Sequence, residues 1–447
     1  MTTGTVQREA WGTRTGFILA AVGSAVGLGN MWRFSYVAAQ GGGIYFVLLY
    51  LIFVAAVGIP VMTSEFAVGR LAQESPAKAV GRLGGRAWTP LGWLFVFCGL
   101  GILSYYSVIA GWTIRYSFDA LRRAIPTDTG AYFQAVSTGT GSVVGHVLFM
   151  AITIFIVLWG VRKGLERAAL ILMPILFIIL VSLAIWSATL TNSGVGYAAF
   201  LNPELGEISV RSVINNAVGQ AFFSLSLGMG ALMTYASYLK SQQNLAKEAT
   251  VVALTDFGVA FTAGLIVFPI IYSFGLGDQV GLSMVGALFI SLPAGLQSLG
   301  QTGDWVVLTF FVMLFFAALT SAISLLEVVV TALVDHGISR RVSAIGAGLV
   351  ITLAGIPSAF SLNFLSAADQ VVGNFLLIVG GFFTALLVGW KLLPLADAEL
   401  AKGLASEKAR KGWAMLIRYF VPPVLLIVLV VTVIPATWAA VRALFSS

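Results

Sequence analysis

The sequence predicts an all-α polytopic membrane protein with 11 transmembrane helices. They form a 5+5 inverted repeat with discontinuous helices 1 and 6, followed by one extra helix. Three observations predict this. Of 447 residues, 59% are hydrophobic and 10% charged, whereas soluble domains carry about 25% charged residues. Apolar runs matching the roughly 20 residues of a spanning helix recur from end to end, and the mean hydropathy is +0.96. Two glycine-broken segments, SAVGLGN (24–30) and SLSLGMG (224–230), stand five spans apart.

Hydropathy and punctuation place the spans near 14–38, 44–70, 90–124, 144–161, 167–188, 212–239, 245–275, 303–336, 341–357, 369–394 and 412–438. Segments 203–210 and 281–298 are too short or too punctuated to cross and read as surface helices or re-entrant loops. The first 13 residues are polar, and the apolar run behind them is too long for a signal-peptide core, so no cleavable leader is expected. The expected organisation begins with a cytoplasmic N-terminal segment, 1–13, and a first five-helix repeat, 14–188. An extracellular loop, 189–211, precedes the second repeat, 212–394. A cytoplasmic loop, 395–411, leads to helix 11 and an extracellular C-terminus, 412–447. An odd number of spans per half inserts the second half upside down relative to the first.

The net charge of +7 raises the question of a nucleic-acid partner, and its distribution answers it. With the N-terminus cytoplasmic, 19 of the 25 basic residues fall in inner segments, all but Arg33, Arg115, Arg122, Arg123, Arg211 and Arg442. The positive-inside rule expects this asymmetry. The charge sets the topology of a multi-pass protein of the inner (plasma) membrane, and no nucleic acid is expected. The single cysteine, Cys98, forms no intrachain disulfide, and His146 and His336 are too scattered for a metal cluster.

Unpaired backbone groups cost several kcal/mol each in hydrocarbon, so irregular backbone survives where it lines a cavity or meets a ligand. Gly27 and Gly29 lower the barrier to unwinding in span 1, as do Gly228 and Gly230 in span 6. An unwound segment makes two half-helices, whose N–H ends favour an anion and whose carbonyl ends favour a cation. An amino acid carries both charges, and sodium takes hard oxygen ligands. Glycines at such positions also serve close helix packing; the paired occurrence, with Asn30 and Arg33 following the first, points to a midplane site.

Intramembrane polar residues extend this reading. Asp256 lies in span 7, as a site residue or a helix-end charge reaching water. Thr320 and Ser321 in span 8 are adjacent hydroxyls, as ion ligands or bonded back to their own helix. Glu65 and Glu327, near inner helix ends, fit structural pairing as well as a direct role. Tyr105 and Tyr106 sit deep enough for a cavity rather than the interfacial belt. A nucleophile–base–orienter set and a strand–helix phosphate loop are both missing from the sequence, so the chain is not expected to be an enzyme.

GSAVGLGNMWRF (23–34), QAFFSLSLGMGALMTYASY (220–238) and FFAALTSAISLLE (315–327) resemble helices 1, 6 and 8 of the neurotransmitter:sodium symporters, which use the bacterial leucine transporter fold. The resemblance runs from Trp11 to about Lys391. It implies two sodium ions. One would be held by the Ala25 carbonyl, Asn30, Ser224, Asp256 and the substrate carboxylate. The other would be held by the carbonyls of Gly23, Val26 and Ala317 with the hydroxyls of Thr320 and Ser321. The substrate carboxylate would meet the Leu28 and Gly29 amides and Tyr106. Its ammonium would meet the carbonyls of Ala25, Phe223 and Ser224 and the Ser226 hydroxyl. Ile102, Phe223, Met229, Ala322 and Leu325 would line the side-chain pocket.

The resemblance also implies an outer gate, Arg33 with Asp369 above Tyr106 and Phe223, and an inner gate, Arg8 with Asp335 beside Trp11. Gly164 and Pro174 match a spacing linked in relatives to unwinding at the inner side. Many relatives have asparagine at the position of Asp256, and the chloride-dependent members have serine at that of Ala260; no chloride is expected here. The function implied is sodium-coupled import of hydrophobic or aromatic L-amino acids by alternating access. Small amino acids such as glycine and alanine are the alternative, and a channel or substrate-sensing receptor would reuse the same fold. The family's twelfth helix is missing, so a monomer or weak dimer in the lipid bilayer is expected.

Overall fold

The computed structural model describes residues 9–40, 42–202, 210–240, 243–276 and 287–446. The helices that carry the architecture are α1 (Arg14–Ala25), α2 (Gly29–Ala39), α3 (Ile44–Ala72), α4 (Arg86–Leu121), α5 (Thr140–Leu158) and α6 (Val161–Ala188). After these come α7 (Val210–Ser224) and α8 (Ala231–Ala236). The last five are α9 (Leu245–Ser273), α10 (Gln301–Asp335), α11 (Arg340–Phe360), α12 (Leu362–Lys391) and α13 (Glu407–Leu444).

Among the described residues nine helices are long and apolar enough to cross a membrane, and the pair α1–α2, bent by 59°, makes a tenth. The span expected near 212–239 is α7 and α8, each shorter than a bilayer crossing, with residues 225–230 between them. Length and composition thus give nine or ten crossings among the described residues against eleven expected, and the difference lies in the two interrupted segments, this one and α1–α2. The expected surface segment at 203–210 falls almost wholly outside the described residues. The described part of 281–298 includes a short apolar helix, Leu288–Gln297.

Two helices form the centre. In the most apolar stretch of α4, 78% of residues are buried, and in that of α10 72%, against 22% for the peripheral α13. α4 packs on α10, α5 and α11, while α1 lies among α6, α9 and α10. Small residues permit these approaches: a Cβ on Gly111 of α4 would fall 2.4 Å from the Gly145 carbonyl carbon of α5. Local chemistry sets the starts. The Thr13 hydroxyl accepts from the Gly16 N–H at 2.9 Å, capping α1, and the Asn244 side chain caps α9 at the Lys247 N–H, 3.0 Å away. Near Gly164, where the resemblance implied unwinding, the chain forms a wide π-helical turn, Val161–Glu166, behind a positive-φ Gly160.

Candidate functional site

The two helix breaks differ in kind. In 225–230 the backbone turns left-handed at Ser226 (φ 53°), Gly228 (φ 75°) and Gly230 (φ 74°), which glycine adopts without a Cβ penalty. Gly27 and Gly29 take no positive φ. They provide space: a Cβ on Gly27 would lie 2.8 Å from both Ser321 Oγ and the Tyr106 hydroxyl, and one on Gly29 2.7 Å from the Phe223 ring. Span 1 does break, at residues 26–27, and its glycines act there through space rather than through positive φ.

Around the first break, side chains from four helices, Asn30 among them, meet at Asp256. Asn30 Nδ2 donates to Asp256 Oδ1 (2.6 Å), Ser224 Oγ (3.0 Å) and the Asp256 carbonyl (3.2 Å). Its Oδ1 accepts from the Gly27 N–H at 2.9 Å. Ser224 Oγ donates to Asp256 Oδ2 at 2.7 Å, as does the Tyr50 hydroxyl at 3.2 Å. Asn30, Ser224 and Asp256 are all buried. A buried carboxylate calls for such donors, since burial without partners is costly.

A second oxygen cluster lies where α1 ends against α10. Ser321 Oγ is 3.3 Å from each of the carbonyl oxygens of Gly23, Val26 and Ala317, and 3.2 Å from that of Ser24. Thr320 Oγ1 bonds back to the Phe316 and Ala317 carbonyls, both at 3.1 Å, as hydroxyls inside helices commonly do. Among the described residues there is no group of three or more His, Cys, Asp or Glu side chains able to hold a metal. The donors here are carbonyl and hydroxyl oxygens with one carboxylate, a set suited to a hard cation.

Between the clusters is a cavity of about 30 Å³. Ala25, Gly29, Ile102, Tyr106, Phe223 and Ser224 line it, together with Ser226, Met229 and Leu325. Of the expected pocket residues, Leu28 and Ala322 are not in the wall. Leu28 takes part through its N–H, which donates to the Tyr106 hydroxyl at 3.1 Å, and Ala322 is fully buried. The Ser226 hydroxyl, expected at an ammonium, donates to the Ser24 carbonyl at 2.7 Å and ties the two breaks together.

Sequence reasoning missed several partners. Ser24 Oγ donates to Ser324 Oγ at 2.8 Å, Gln220 Nε2 to the Gly29 carbonyl at 3.1 Å, and the Gly228 N–H to Glu65 Oε1 at 2.8 Å. Ser324 follows Thr320 and Ser321 at helical spacing, a signal that was present. Tyr50, inside an apolar run, offers none.

At the outer gate Arg33 and Asp369 each hold a neutral partner. Among the described residues no ion pair within 4 Å joins Arg33 to Asp369. Arg33 Nη2 donates to Asn374 Oδ1 at 2.7 Å, and its guanidinium lies 5.2 Å from the centre of the Phe223 ring. Asp369 Oδ1 accepts from the Tyr105 hydroxyl at 2.9 Å. Tyr105 thus joins the gate layer, while Tyr106 and Phe223 line the cavity beneath it. At the inner end Arg8 lies outside the described residues. Asp335 Oδ2 accepts from the Ser75 N–H at 2.5 Å and its carbonyl accepts from Lys78. Trp11 is buried, with Nε1 donating to the Tyr235 carbonyl at 2.8 Å. Beside it Arg340 Nη2 pairs with Glu327 Oε2 at 2.6 Å, and Glu166 accepts from the Gly12 and Thr13 amides at 2.7 and 2.9 Å. The N-terminal segment is thus pinned to α6.

An all-helical membrane bundle whose interrupted helices meet at an oxygen-lined cavity has the build of a secondary transporter. The sodium:neurotransmitter symporter family model matches residues 8–135 and 134–443, and the chain belongs to that family. It is 35% identical over 439 residues to the uncharacterized sodium-dependent transporter YhdH of Bacillus subtilis (strain 168), covering 94% of this chain and 96% of that one. To the sodium-dependent serotonin transporter of Drosophila melanogaster it is 26% identical over 430 residues, covering 85% and 68%. The crystal structure of MhsT in complex with L-phenylalanine matches with a TM-score of 0.87 and 39% identity, over 95% of this chain and 99% of that chain. The protein is a sodium-dependent symporter and a multi-pass membrane protein, not an enzyme.

Proposed function

We propose that this symporter imports hydrophobic or aromatic L-amino acids with two sodium ions, by alternating access and without chloride. The observation that carries the reading is the pair of oxygen clusters on the α1–α2 break, one reaching α7 and α9, the other α10. A half-turn of the Asn30 carboxamide presents its oxygen to a cation held by Ser224, Asp256 and the Ala25 carbonyl. A second cation takes the Gly23, Val26 and Ala317 carbonyls with Thr320 and Ser321. Each ion then joins the first repeat, 14–188, to the second, 212–394, so filling both sites favours one arrangement of the halves. Asp256 supplies the negative charge that chloride would otherwise bring.

The substrate carboxylate bridges the first sodium, the Leu28 and Gly29 amides and Tyr106. The ammonium faces the carbonyls of Ala25, Phe223 and Ser224 and the Ser226 hydroxyl. Ile102, Phe223, Met229 and Leu325, with Ala322 behind them, suit an apolar side chain; methionine adapts its shape readily, and MhsT was crystallised with L-phenylalanine. A second reading is favoured by the narrowness of the cavity between the two oxygen clusters, about 30 Å³. It suits glycine or alanine better than a bulky side chain. Arg33 and Asp369 act outside, Arg8, Trp11 and Asp335 inside, with the N-terminus cytoplasmic and the C-terminus external.

The test is concentrative uptake into liposomes under an inward sodium gradient, screened over all twenty amino acids. Accumulation of phenylalanine, leucine and tryptophan is expected. Uptake confined to glycine and alanine would favour the second reading, and no sodium-dependent accumulation of any would defeat both.

A further inference from the structure

A recess in the lipid-facing wall lies near the inner gate, away from the transport cavity. It opens between the end of α5 and the start of α6, with a volume of about 460 Å³. Its walls include Phe155, Trp159, Ile171 and Leu172, and its rim carries Lys163 and Arg167. Phe155, Trp159 and Ile171 are 59%, 58% and 53% exposed, so the recess faces outward. Lys163 and Arg167, four residues apart, sit on one helix face, and both are exposed.

Neither cation has an ion pair among the described residues. The nearest acidic residue in sequence, Glu166, is buried and turned away, its two oxygens held by Gly12 and Thr13. The recess lies at the end of the bundle that holds the N-terminal segment, since the Val161 N–H donates to Glu9. A pair of free cations above an apolar, outward-facing groove matches one chemistry: a phosphate-bearing anionic headgroup with an acyl chain beneath it. A soluble anion would leave the apolar walls unmatched, and a zwitterionic lipid would leave the cations uncompensated. Exposed tryptophan at this level is what the membrane interface favours, and basic pockets between helices hold anionic headgroups.

We propose that this recess is a binding site for an anionic phospholipid of the leaflet on the N-terminal side. The site touches moving parts. Its wall includes Gly164 within the Val161–Glu166 turn, and Leu319, next to Thr320 of the second oxygen cluster. A lipid seated there bears on the turn that anchors Glu9 through the Val161 amide and Gly12 and Thr13 through Glu166.

The test uses the full-length protein in nanodiscs carrying trace phosphatidylglycerol or phosphatidylcholine with a photoactivatable acyl chain, followed by peptide mapping. Phosphatidylglycerol is expected to label the segment 155–172 preferentially. Each cation near the surface contributes about fivefold, so Lys163→Ala with Arg167→Ala is expected to weaken labelling about 30-fold at low ionic strength, while Lys163→Arg with Arg167→Lys keeps it. Equal labelling by phosphatidylcholine in the wild type would overturn the proposal, whether or not the alanine variant folds. Unchanged labelling of the alanine variant would overturn it too. So would displacement by inorganic phosphate at equal concentration, which would assign the cations to a free anion.

Discussion

Gly228→Ala separates backbone freedom from close packing at the break between α7 and α8. Gly228 has φ +75°, and a Cβ there would lie 2.0 Å from the Leu377 carbonyl oxygen and 3.0 Å from the Gly381 amide nitrogen of α12. Gly337, at the end of α10, has φ +90° with nothing within 4 Å of its Cβ position. Alanine in the left-handed region costs roughly 1–2 kcal/mol at either position. At Gly228 the obstacle is backbone, which no rotamer change can move, and overpacking adds roughly 1–3 kcal/mol. The expected cost is therefore about 2–5 kcal/mol at Gly228 against about 1–2 at Gly337.

Thermal unfolding of the purified proteins, read by size-exclusion fluorescence at one heating rate, should show a drop in apparent Tm for Gly228→Ala at least twice that for Gly337→Ala. Because the Gly228 amide holds Glu65 and Met229 lines the cavity, the folded fraction of Gly228→Ala should also bind substrate more weakly. Equal Tm shifts in the two variants would refute the packing argument and leave φ alone as the reason for glycine.

Ser321→Ala removes the hydroxyl that faces four carbonyls; at about 1.5 kcal/mol for a charge-assisted contact, the sodium concentration for half-maximal substrate binding should rise about tenfold at constant ionic strength. Replacing chloride by gluconate should leave uptake unchanged; uptake that stops in gluconate and recovers with chloride would sink the role given to Asp256. Gly29→Ala pushes against the Phe223 ring and should weaken substrate binding, while adding Phe223→Leu should recover part of the loss, a coupling that independent sites would not show. Arg340→Gln leaves Glu327, fully buried, without its cation, a change costing about 3 kcal/mol or more. It should speed maleimide labelling of an Ala10→Cys reporter, for which Cys98, being buried, gives a low background.

What the sequence made legible follows from what is periodic or locally unusual. Apolar runs of membrane length marked the helices, and glycine clusters marked both breaks, because each signal lies within about 30 residues. Convergence across the fold left no such trace. Tyr50 and Asp256 are 206 residues apart, and Gln220 and Gly29 191 apart; a single hydroxyl or carboxamide in an apolar helix carries no mark of its partner. The outer gate was legible only in part, for a related reason. The charges Arg33 and Asp369 stand out in a hydrophobic chain, whereas the neutral Asn374 and Tyr105 that engage them do not.

The two breaks also solve one problem in different ways, which the shared glycines concealed. Unwinding frees backbone groups that must find partners. Across 225–230 the backbone turns through positive φ, and the Gly228 amide meets Glu65. In the first break, side chains supply the partners: Asn30 Oδ1 takes the Gly27 amide and Tyr106 the Leu28 amide, while Ser226 and Ser321 reach the carbonyls. These are groups to which the proposed function assigns sodium or substrate. Binding is then an exchange, in which a ligand replaces internal hydrogen bonds worth about 0.5–1.5 kcal/mol each and no buried group passes through an unpaired state. A site built in this way can be filled and emptied repeatedly within a membrane, where an orphaned amide or carbonyl would otherwise oppose every cycle.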